Sequence, residues 1–308
     1  MTDEGEFEGL QETWKRLAER MAGQSWPESC LYVVATPIGN LGDLGLRAWQ
    51  ALLRCDAIAA EDTRSSRALL DAWGVRTPLM AAHRHNENQA AEAIVQRLAR
   101  GERVALISDA GAPAVSDPGA RIVRRVREAG YRVTPIPGPS AVIAALMASG
   151  ATTDEAPGYA FAGFVPAKAV ARRKWLQTWA QLDVPVVMFE SPHRLRDSVG
   201  DLVAVCGADR RLTFARELSK RFEQIHTLPL GEALGWLAQD PHHAQGEFVL
   251  ILHPAQAPAE DREAALAPEH VRLMEALLED LSVRDAARIG ARVTGLARET
   301  LYAWALRR

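Results

Sequence analysis

The sequence predicts an α/β protein with two α/β domains, an inter-domain cleft and a small C-terminal helical module that resembles a helix-turn-helix. Three observations support this fold class. Short apolar, β-branched runs alternate with helical patterns, as in βα units. Each run is followed by a string rich in Gly, Pro, Asp and Ser. At 308 residues the chain also exceeds the usual size of a single hydrophobic core.

Five apolar runs are predicted to be strands, and a polar string follows each of them directly. The runs cover residues 31–35, 56–60, 103–108, 131–136 and 184–189. The strings are TPIGN (36–40), AEDTR (60–64), SDAGAPAVSDPG (108–119), PIPGPSA (135–141) and FESPHR (189–194). Such runs indicate parallel strands that are buried on both faces. Ligands of parallel sheets bind beyond the carboxyl ends of the strands, so the five strings are expected to line one cleft.

Breaks in this pattern divide the chain into five parts. A helical segment precedes Trp26-Pro27, and a polar stretch at 151–158 separates two α/β patterns. Linker-like composition then precedes three short helical patterns, the second of which begins with a predicted capping box, Ser282 and Asp285. We expect an N-terminal extension (1–29), α/β domains at 30–150 and 151–254, a linker (255–268) and a helical module (269–308). A packing module that binds no nucleic acid is the alternative to a helix-turn-helix.

The charge of the chain is unevenly distributed. The formal net charge is -3, but residues 1–30 carry seven acids against three bases, and residues 160–225 carry eleven bases against seven acids. A basic stretch in an acidic protein suggests an anionic partner, most commonly nucleic acid. Solvated helix faces are the alternative explanation.

The cysteines and the apolar stretches indicate in which cellular compartment the protein is expected. The three cysteines are unclustered and form neither a disulfide framework nor a zinc site. The N-terminus lacks the pattern of a secretory signal, and the longest apolar stretch, 141–147, is too short to span a bilayer. The sequence therefore predicts a cytoplasmic protein with no membrane role. His83 and His85 lack further ligands nearby, so no metal is expected.

The loop strings offer a polar ligand site of an uncommon kind. Gly39 and Gly42 follow the first strand, where a missing side chain lets backbone N–H groups approach a ligand. The string at 108–119 has two Asp, two Gly and two Pro in twelve residues, which indicates a rigid loop, and Ser140 stands at a predicted helix start. Neither a Walker loop nor a GxGxxG fingerprint is present. Common nucleoside triphosphate and dinucleotide sites are therefore disfavoured.

The ordered strings resemble one known family. TPIGNLGD, AEDTR, SDAGAPAVSDPG, PIPGPSA, FESPHR, RELSK (216–220) and GEFVLIL (246–252) are similar to the ribosomal RNA small subunit methyltransferase I family. The resemblance covers residues 31 to about 254, and the tail is similar to the family's helix-turn-helix appendage. It implies two α/β domains of the tetrapyrrole methylase type. It also implies S-adenosylmethionine-dependent methylation of a cytidine ribose 2′-hydroxyl at the decoding site of small-subunit ribosomal RNA.

The resemblance also implies a set of methyl-donor contacts. These are Pro37, Gly39, Asp109, Gly111, Ala112, Pro113, Ser140, Ala141 and Phe189. Two positions depart from the family pattern, because Ala112 and Ser219 stand where the resemblance leads us to expect threonine. Loss of a hydroxyl at 112 would weaken donor binding only if that hydroxyl contacts the donor.

Transfer to a ribose hydroxyl needs a polar partner that deprotonates or solvates that hydroxyl. The candidates in the strings are Glu61, Asp62, Glu190, His193 and Lys220. We predict Asp62, Lys220 and Glu190 as catalytic residues, with Asp62 and Lys220 as the partners of the hydroxyl. Two structural alternatives stay open, since Asp62 can pair with Arg64 and Glu190 can cap the helix that follows it.

Basic and polar residues beside the strings are predicted to bind RNA. They are Arg64, Arg84, His85, Asn86, Lys168, Arg172, Arg173 and Arg194. The expected partner is small-subunit ribosomal RNA or the assembled small subunit, and the protein is expected to form a homodimer. Two other functions stay open: a small-molecule methyltransferase of the tetrapyrrole type, and a nucleic-acid-binding regulator with a small effector in the cleft.

Overall fold

Short strands, many of them rich in apolar residues, alternate with helices through much of the chain from residue 30 onward. In the computed structural model, which describes residues 4–255, 266 and 268–306, the chain divides into two compact units, 1–254 and 255–308. A helix, α1 (Glu4–Ala22), precedes the first sheet, as the sequence pattern predicts.

The first sheet is entirely parallel. Its strands are β1 (Cys30–Val34), β2 (Ala57–Ala60), β3 (Leu79–Ala81), β4 (Arg103–Ile107) and β5 (Arg132–Ile136), in the order β3-β2-β4-β1-β5. The intervening helices are α2 (Leu46–Arg54), α3 (Thr63–Ala72), α4 (Glu87–Ala99), α5 (Ala120–Glu128) and α6 (Ala141–Ser149). The four strands predicted for this domain at 31–35, 56–60, 103–108 and 131–136 are confirmed as β1, β2, β4 and β5, with boundaries within one residue.

Alternate side chains of each strand fill two cores. On β1, Tyr32 points into the core that α2 covers, whereas Leu31 points into the core beneath α4 and α5. Both side chains are fully buried or nearly so. Burial of both faces explains why these strands are continuously apolar in sequence.

The crossover direction changes between β1 and β4. The chain leaves β1 towards β2 on one side of the sheet and leaves β4 towards β5 on the other side. A crevice forms where two such connections diverge, outside the carboxyl ends of the strands. The strings that follow β1 and β4 lie at this crevice.

The second sheet is mixed. Its strands are β6 (Ala160–Phe164), β7 (Val186–Glu190), β8 (Arg211–Arg216), β9 (Gln224–Pro229) and β10 (Phe248–Leu252), in the order β6-β7-β10-β8-β9. Helices α7 (Ala169–Trp179), α8 (Leu195–Cys206) and α9 (Leu230–Gln239) cover one face. Only β6 and β7 pair in parallel, whereas the pairs β7–β10, β10–β8 and β8–β9 are antiparallel. The prediction that β7 lies among parallel strands is therefore correct for its pairing with β6 and wrong for its pairing with β10. The short β8–β9 connection leaves no room for a crossover and forces an antiparallel pair.

Helix α6 connects the two sheets. It follows the last strand of the first sheet, yet Val142 and Ala145 pack with Val249 and Ile251 of the second sheet. The other face of β10 packs with α8 and α9 through Phe248, Leu250 and Leu252. Because one helix covers the open face of the second sheet, both α/β domains lie in one compact unit.

The second unit contains three helices around its own core. They are α10 (Pro268–Asp280), α11 (Val283–Thr294) and α12 (Arg298–Leu306). Ser282 caps α11 by accepting a hydrogen bond from the backbone N–H of Asp285 at 3.2 Å, as predicted. Most of the predicted linker (256–265 and 267) lies outside the described residues. Within the described ranges, no helix combines the length and apolar character needed to cross a membrane.

Candidate active site

A cavity of about 460 Å³ lies at the carboxyl edge of the first sheet and extends to the second sheet. This volume is typical of a small-molecule site. Each of the five predicted strings contributes to its wall, so the prediction of one common cleft is confirmed. The first domain contributes Ile38, Glu61, Asp109, Ala110, Gly111, Ala112, Val115, Asp117, Ser140 and Ala141. The second domain contributes Phe164, Phe189, Glu190, Ser191, Leu218, Glu247 and Val249.

The strings after β1 and β4 are joined directly across the crevice. The backbone N–H of Thr36 donates to the carbonyl of Gly111 at 2.9 Å, and the N–H of Gly111 donates back at 3.0 Å. The Thr36 hydroxyl donates to the carbonyl of Ser108 at 3.0 Å. Gly111 has a φ of +76°, and Ala114 and Ser116 also have positive φ. Strained backbone held by surrounding structure is a common property of ligand-binding loops.

Asp109 attaches the same loop to the start of α3. One of its oxygens, Oδ1, accepts from the backbone N–H of Asp62 at 3.1 Å and from the Ser65 hydroxyl at 2.8 Å. The carboxylate of Asp62 itself accepts from the N–H of Arg64 at 2.7 Å and caps α3. Asp62 is exposed and is absent from the cavity wall, whereas its neighbour Glu61 is part of that wall. The structure therefore corrects the choice of Asp62 as a catalytic group, since its carboxylate has a capping role.

Two carboxyl groups of the cavity wall have raised pKa values. Burial raises the pKa of Glu61, and the carboxylates of Asp117 and Asp109 raise it further, against a backbone hydrogen bond from Asp109 and the charge of Arg84. Burial also raises the pKa of Asp117, although a hydrogen bond with Ser108 opposes the shift. Carboxyl groups that hold a proton more tightly are suited to proton transfer near neutral pH. Asp117 belongs to the 108–119 string, and only its burial beside Glu61 distinguishes it as a functional candidate.

The start of α6 presents unpaired donors to the cavity. Ser140 is the N-cap residue, but its hydroxyl makes no capping hydrogen bond. Backbone N–H groups in the first turn of a helix have no intrahelical acceptor, and the helix dipole favours an anion there. Ser140, Ala141 and Val142 all line the cavity, so this end can hold a carboxylate or another anionic group.

Aromatic rings form the opposite wall. Phe189 lies between Phe161 and Phe164, with ring centroids at 5.1 and 5.2 Å in edge-to-face geometry. Phe164 is 57 % exposed, although it is a large apolar side chain. This part of the wall suits a flat, aromatic portion of a ligand.

The RELSK loop of the second domain contacts the TPIGNLGD loop of the first domain. The Lys220 side chain crosses Gly39 so closely that a Cβ on Gly39 would overlap it, and the Ser219 hydroxyl bonds to Asp43. Lys220 Nζ lies 3.1 Å from Glu217 Oε1 and 2.9 Å from Glu247 Oε2. Burial lowers the pKa of Lys220, but the hydrogen bonds with Glu247 and Glu217 outweigh it and raise the pKa. These hydrogen bonds favour the cationic form of Lys220.

Glu190 lines the cavity but is already fully engaged. It is 3 % exposed, and its carboxylate accepts from the N–H of Ser191 at 2.7 Å, from Arg194 Nη2 at 2.7 Å and from the Ser198 hydroxyl. The carboxylate therefore fixes the FESPHR turn and the start of α8. This corrects the choice of Glu190 as a catalytic group, because its oxygens are occupied by the protein.

The predicted donor contacts fall into two groups. Asp109, Gly111, Ala112, Ser140, Ala141 and Phe189 lie on the cavity wall. Pro37 and Pro113 are buried beside the crevice, and Gly39 lies under Lys220, so these three are not part of the wall. The sequence did not single out Leu218, Glu247 or Phe164, because they reach the cavity only through packing of the second domain.

The predicted RNA-binding residues are not equally accessible. Arg64, Arg84, His85, Lys168 and Arg173 are exposed. Arg172 is only 4 % exposed and donates to Asp201 Oδ2 at 2.7 Å, so it stabilises the α7–α8 contact and is withdrawn as a phosphate ligand. Arg194 is committed to Glu190, and the Asn86 amide donates to the carbonyl of Ala81 at 3.1 Å. Within the described part of the chain, no group of His, Cys, Asp and Glu side chains is arranged to hold a metal ion.

Comparison with known proteins assigns the class of this fold and cavity. The family model described as Tetrapyrrole (Corrin/Porphyrin) Methylases matches residues 30–234, and the model described as RsmI C-terminal HTH domain matches residues 264–308. Solved structures agree in fold. A cobalt-precorrin-4 methyltransferase of cobalamin biosynthesis has a TM-score of 0.55 and 15 % identity, over 72 % of this chain and 94 % of that one. A diphthine synthase has a TM-score of 0.56 and 14 % identity, over 73 % and 90 %.

Curated relatives specify the family within this class. Ribosomal RNA small subunit methyltransferase I of Pseudomonas aeruginosa is 45 % identical over 278 residues, which are 90 % of this chain and 97 % of that protein. The protein of the same name from Escherichia coli O157:H7 is 43 % identical over 276 residues, 90 % of this chain and 94 % of that protein. The chain belongs to the ribosomal RNA small subunit methyltransferase I family and is a methyltransferase. The resemblance and the fold class expected from the sequence are confirmed.

Proposed function

We propose that this protein transfers the methyl group of S-adenosylmethionine to the ribose 2′-hydroxyl of a cytidine at the decoding site of small-subunit ribosomal RNA. The observation that carries the proposal is a single cavity whose wall takes residues from each of the five loop strings. The chain matches two relatives named ribosomal RNA small subunit methyltransferase I over 97 % and 94 % of their length.

The cavity wall suits the chemical groups of S-adenosylmethionine. Phe189, Ile38 and Val249 offer apolar contact for an adenine ring, and the first turn of α6 offers N–H donors for a carboxylate. Asp109 and Glu61 supply negative charge for the ammonium and sulfonium groups or hydroxyl acceptors for a ribose. Ala112 is part of this wall, and the other residues of the wall are present whether or not position 112 carries a hydroxyl. When bound, S-adenosylmethionine supplies a methyl group already activated for transfer to a nucleophile.

Proton removal from the hydroxyl is assigned to the Glu61 and Asp117 pair. Their raised pKa values keep one of the two carboxyls a better proton acceptor than an ordinary surface carboxylate. Asp109 holds the α3 turn and thereby fixes the position of Glu61. Lys220, a cation on the edge of the same cleft, is placed to favour negative charge that develops on the hydroxyl oxygen. Alignment of the two reactants supplies the remainder of the rate.

Exposed cations around the cleft support a polyanionic substrate. Arg64 starts α3, Arg84 precedes α4 and Lys168 precedes α7, and all three elements begin at the carboxyl end of a strand. We propose that these residues, with His85 and Arg173, contact RNA phosphates. The substrate is naked ribosomal RNA or the assembled small subunit, in the cytoplasm and without a metal.

A homodimer is part of the proposal. On α6, Ile143 and Met147 are spaced four residues apart and are 45 % and 83 % exposed, although the opposite face of this helix is buried. An exposed apolar strip of this kind is typical of a subunit contact. The mass of the protein in solution, measured by light scattering, tests this; a monomer for the wild-type chain would contradict it.

One experiment tests the proposed reaction. Small ribosomal subunits from cells that lack the enzyme are incubated with the protein and radiolabelled S-adenosylmethionine, and the labelled nucleotide is mapped. We expect one labelled cytidine whose ribose resists alkaline cleavage. Label on a base, or incorporation only into a tetrapyrrole substrate, would contradict the proposal.

A further inference from the structure

The β8–β9 connection, residues 217–223, carries an aromatic side chain that the fold leaves in solvent. Phe222 is 65 % exposed, and the guanidinium of Arg221 lies over its ring at 5.5 Å from the centroid. Arg221 makes no ion pair within the described part of the chain. Together they present a flat aromatic surface with a cation beside it.

The connection is rigid, so Phe222 is held in place. Glu217 and Ser219 have φ values of +51° and +65°. The N–H of Ser219 donates to Glu223 Oε2 at 2.6 Å, and the N–H of Glu247 donates to Glu217 Oε1 at 2.9 Å. The Ser219 side chain also bonds to Asp43 of the first domain. These contacts fix both the conformation of the loop and its place at the edge of the cleft.

The same loop contributes to the cavity from its other side. Leu218 is 7 % exposed and lines the cavity, and Lys220 lies over the loop that follows β1. Phe222 is four residues beyond Leu218 and two beyond Lys220. Phe222 thus belongs to the same short connection as a residue of the cavity wall, although its ring is exposed and is not part of that wall.

We propose that Phe222 and Arg221 form a stacking platform for an RNA base that flanks the methylated nucleotide, an inference that rests on the proposed function. Methylation of a 2′-hydroxyl requires the ribose to enter the cleft, which separates the target nucleotide from its neighbours and exposes a base face. Exposed aromatic rings bind such bases by stacking, and arginine adds a cation near the base and its phosphate. The platform therefore recognises a single-stranded segment rather than a duplex.

A second copy of the chain is the less favoured occupant. One aromatic side chain buries about 150–250 Å², whereas a stable dimer interface buries more than about 1,000 Å². A base face matches the area of one ring, and the adjacent charge of Arg221 matches a phosphate rather than another apolar surface.

The test compares Phe222→Leu with Phe222→Trp. Leucine keeps an apolar side chain without a flat π face, and tryptophan keeps the face. Leu53→Ala is the control, since Leu53 is 40 % exposed at the end of α2, which leads into the amino end of β2 and so lies opposite the carboxyl edge of the sheet. Single-turnover methyl transfer to unmethylated small subunits is measured over a range of subunit concentrations, together with donor affinity.

For Phe222→Leu we expect the subunit concentration for half-maximal rate to rise about tenfold or more. Donor affinity and the rate at saturation should be unchanged, and Phe222→Trp and Leu53→Ala should behave as wild type. In an RNA oligonucleotide that spans the target, an abasic site at the stacked position should weaken binding to wild type but not to Phe222→Leu.

Three results would overturn the platform. They are equal behaviour of the leucine and tryptophan variants, an unchanged concentration dependence for Phe222→Leu, and a change in oligomeric state that accounts for the effect. A wild-type protein that labels no ribosomal RNA would instead overturn the proposed function, and the platform with it.

Discussion

At the scale of single residues, two adjacent carboxylates have different surroundings. Glu61 lies on the cavity wall beside Asp117, and Asp62 caps α3 in solvent. Sequence position alone cannot separate them, because both follow β2 in one polar string. The direction of each side chain depends on Asp109, which holds the backbone N–H between them.

Glu61→Gln should lower single-turnover methyl transfer by about a hundredfold, a usual contribution of a general base. Asp62→Ala should transfer methyl at a nearly normal rate but lose about 1 kcal/mol of stability with its helix cap. Rapid-quench assays on saturating subunits and urea unfolding measure the two effects. If Glu61→Gln transferred methyl at the normal rate and Asp62→Ala transferred it slowly, the catalytic role would return to Asp62.

The raised pKa of Glu61 has opposite consequences for rate and stability. A base must be ionised, so the rate should fall with decreasing pH sooner than for an ordinary carboxylate of pKa about 4.3. The folded state binds the proton more tightly than the unfolded state, so this group costs stability above its folded pKa. Glu61→Gln should therefore stabilise the protein slightly at pH 7, by a few tenths of a kcal/mol after solvent screening.

Gly111→Ala should abolish donor binding in a folded protein. Its Cβ would lie 3.5 Å from Ile38 Cγ2, on the cavity wall, at a φ of +76°. Gly101→Ala is a matched control, because Gly101 has a φ of +86° with open space around it, at the amino end of β4. Both variants should lose about 1–2 kcal/mol from left-handed strain, and calorimetric titration should show donor binding only in Gly101→Ala. Equal donor affinities would remove this loop from the site.

At the scale of elements, the RELSK loop closes one edge of the cleft through Lys220. Lys220→Met should keep the stem over Gly39 but leave Glu217 and Glu247 without their cation, and methyl transfer should fall at least about tenfold. Lys220→Arg should keep most of the rate. Since the pKa of Lys220 is raised, the wild-type rate should show no lysine titration between pH 7 and about 9. A rising limb in that range that disappears in Lys220→Met would identify Lys220 as the base.

Helix α7 carries two adjacent arginines that both pair with Asp201, because Arg172 Nε lies 2.7 Å from Oδ2 and Arg173 Nε lies 2.7 Å from Oδ1. Arg172→Ala should destabilise the protein by about 3 kcal/mol, because Asp201 is 6 % exposed and keeps only the exposed Arg173 as a partner. Arg173→Ala should leave the fold intact and weaken RNA binding, with a log–log salt slope shallower by up to about one unit. Filter binding at several salt concentrations checks the slope. An unchanged slope for Arg173→Ala would place this end of α7 outside the RNA contact.

At the scale of the whole molecule, the cavity lies within residues 1–254 and the helical module forms a separate compact unit. Deletion of residues 255–308 should leave donor affinity unchanged and reduce affinity for small subunits. A regulator that binds nucleic acid only through its tail would lose all such binding. Calorimetry with S-adenosylmethionine and sedimentation with subunits distinguish the two outcomes.

Gly290→Val provides a control for that deletion in the full-length chain. Gly290 lies in α11, where an added Cβ would meet Met274 Sδ at 2.6 Å and Leu301 Cδ1 at 3.1 Å. The larger side chain should unfold the module core while the cavity keeps its donor affinity. Subunit affinity equal to wild type in this variant would show that the folded module does not contribute to binding.

The sequence by itself determined the strands of the first domain, their loop strings, the common cleft and the family. Each of these depends on local patterns, since a run buried on both faces must be apolar and a ligand loop needs turn residues. Tertiary structure decided which polar groups remain available to a substrate. Asp62 and Asp109 are 47 positions apart, Arg172 and Asp201 are 29 apart, and Lys220 and Glu247 are 27 apart. Such distant partners set the charge, burial and direction of a side chain. The local sequence around a residue does not reveal which distant residues will contact it.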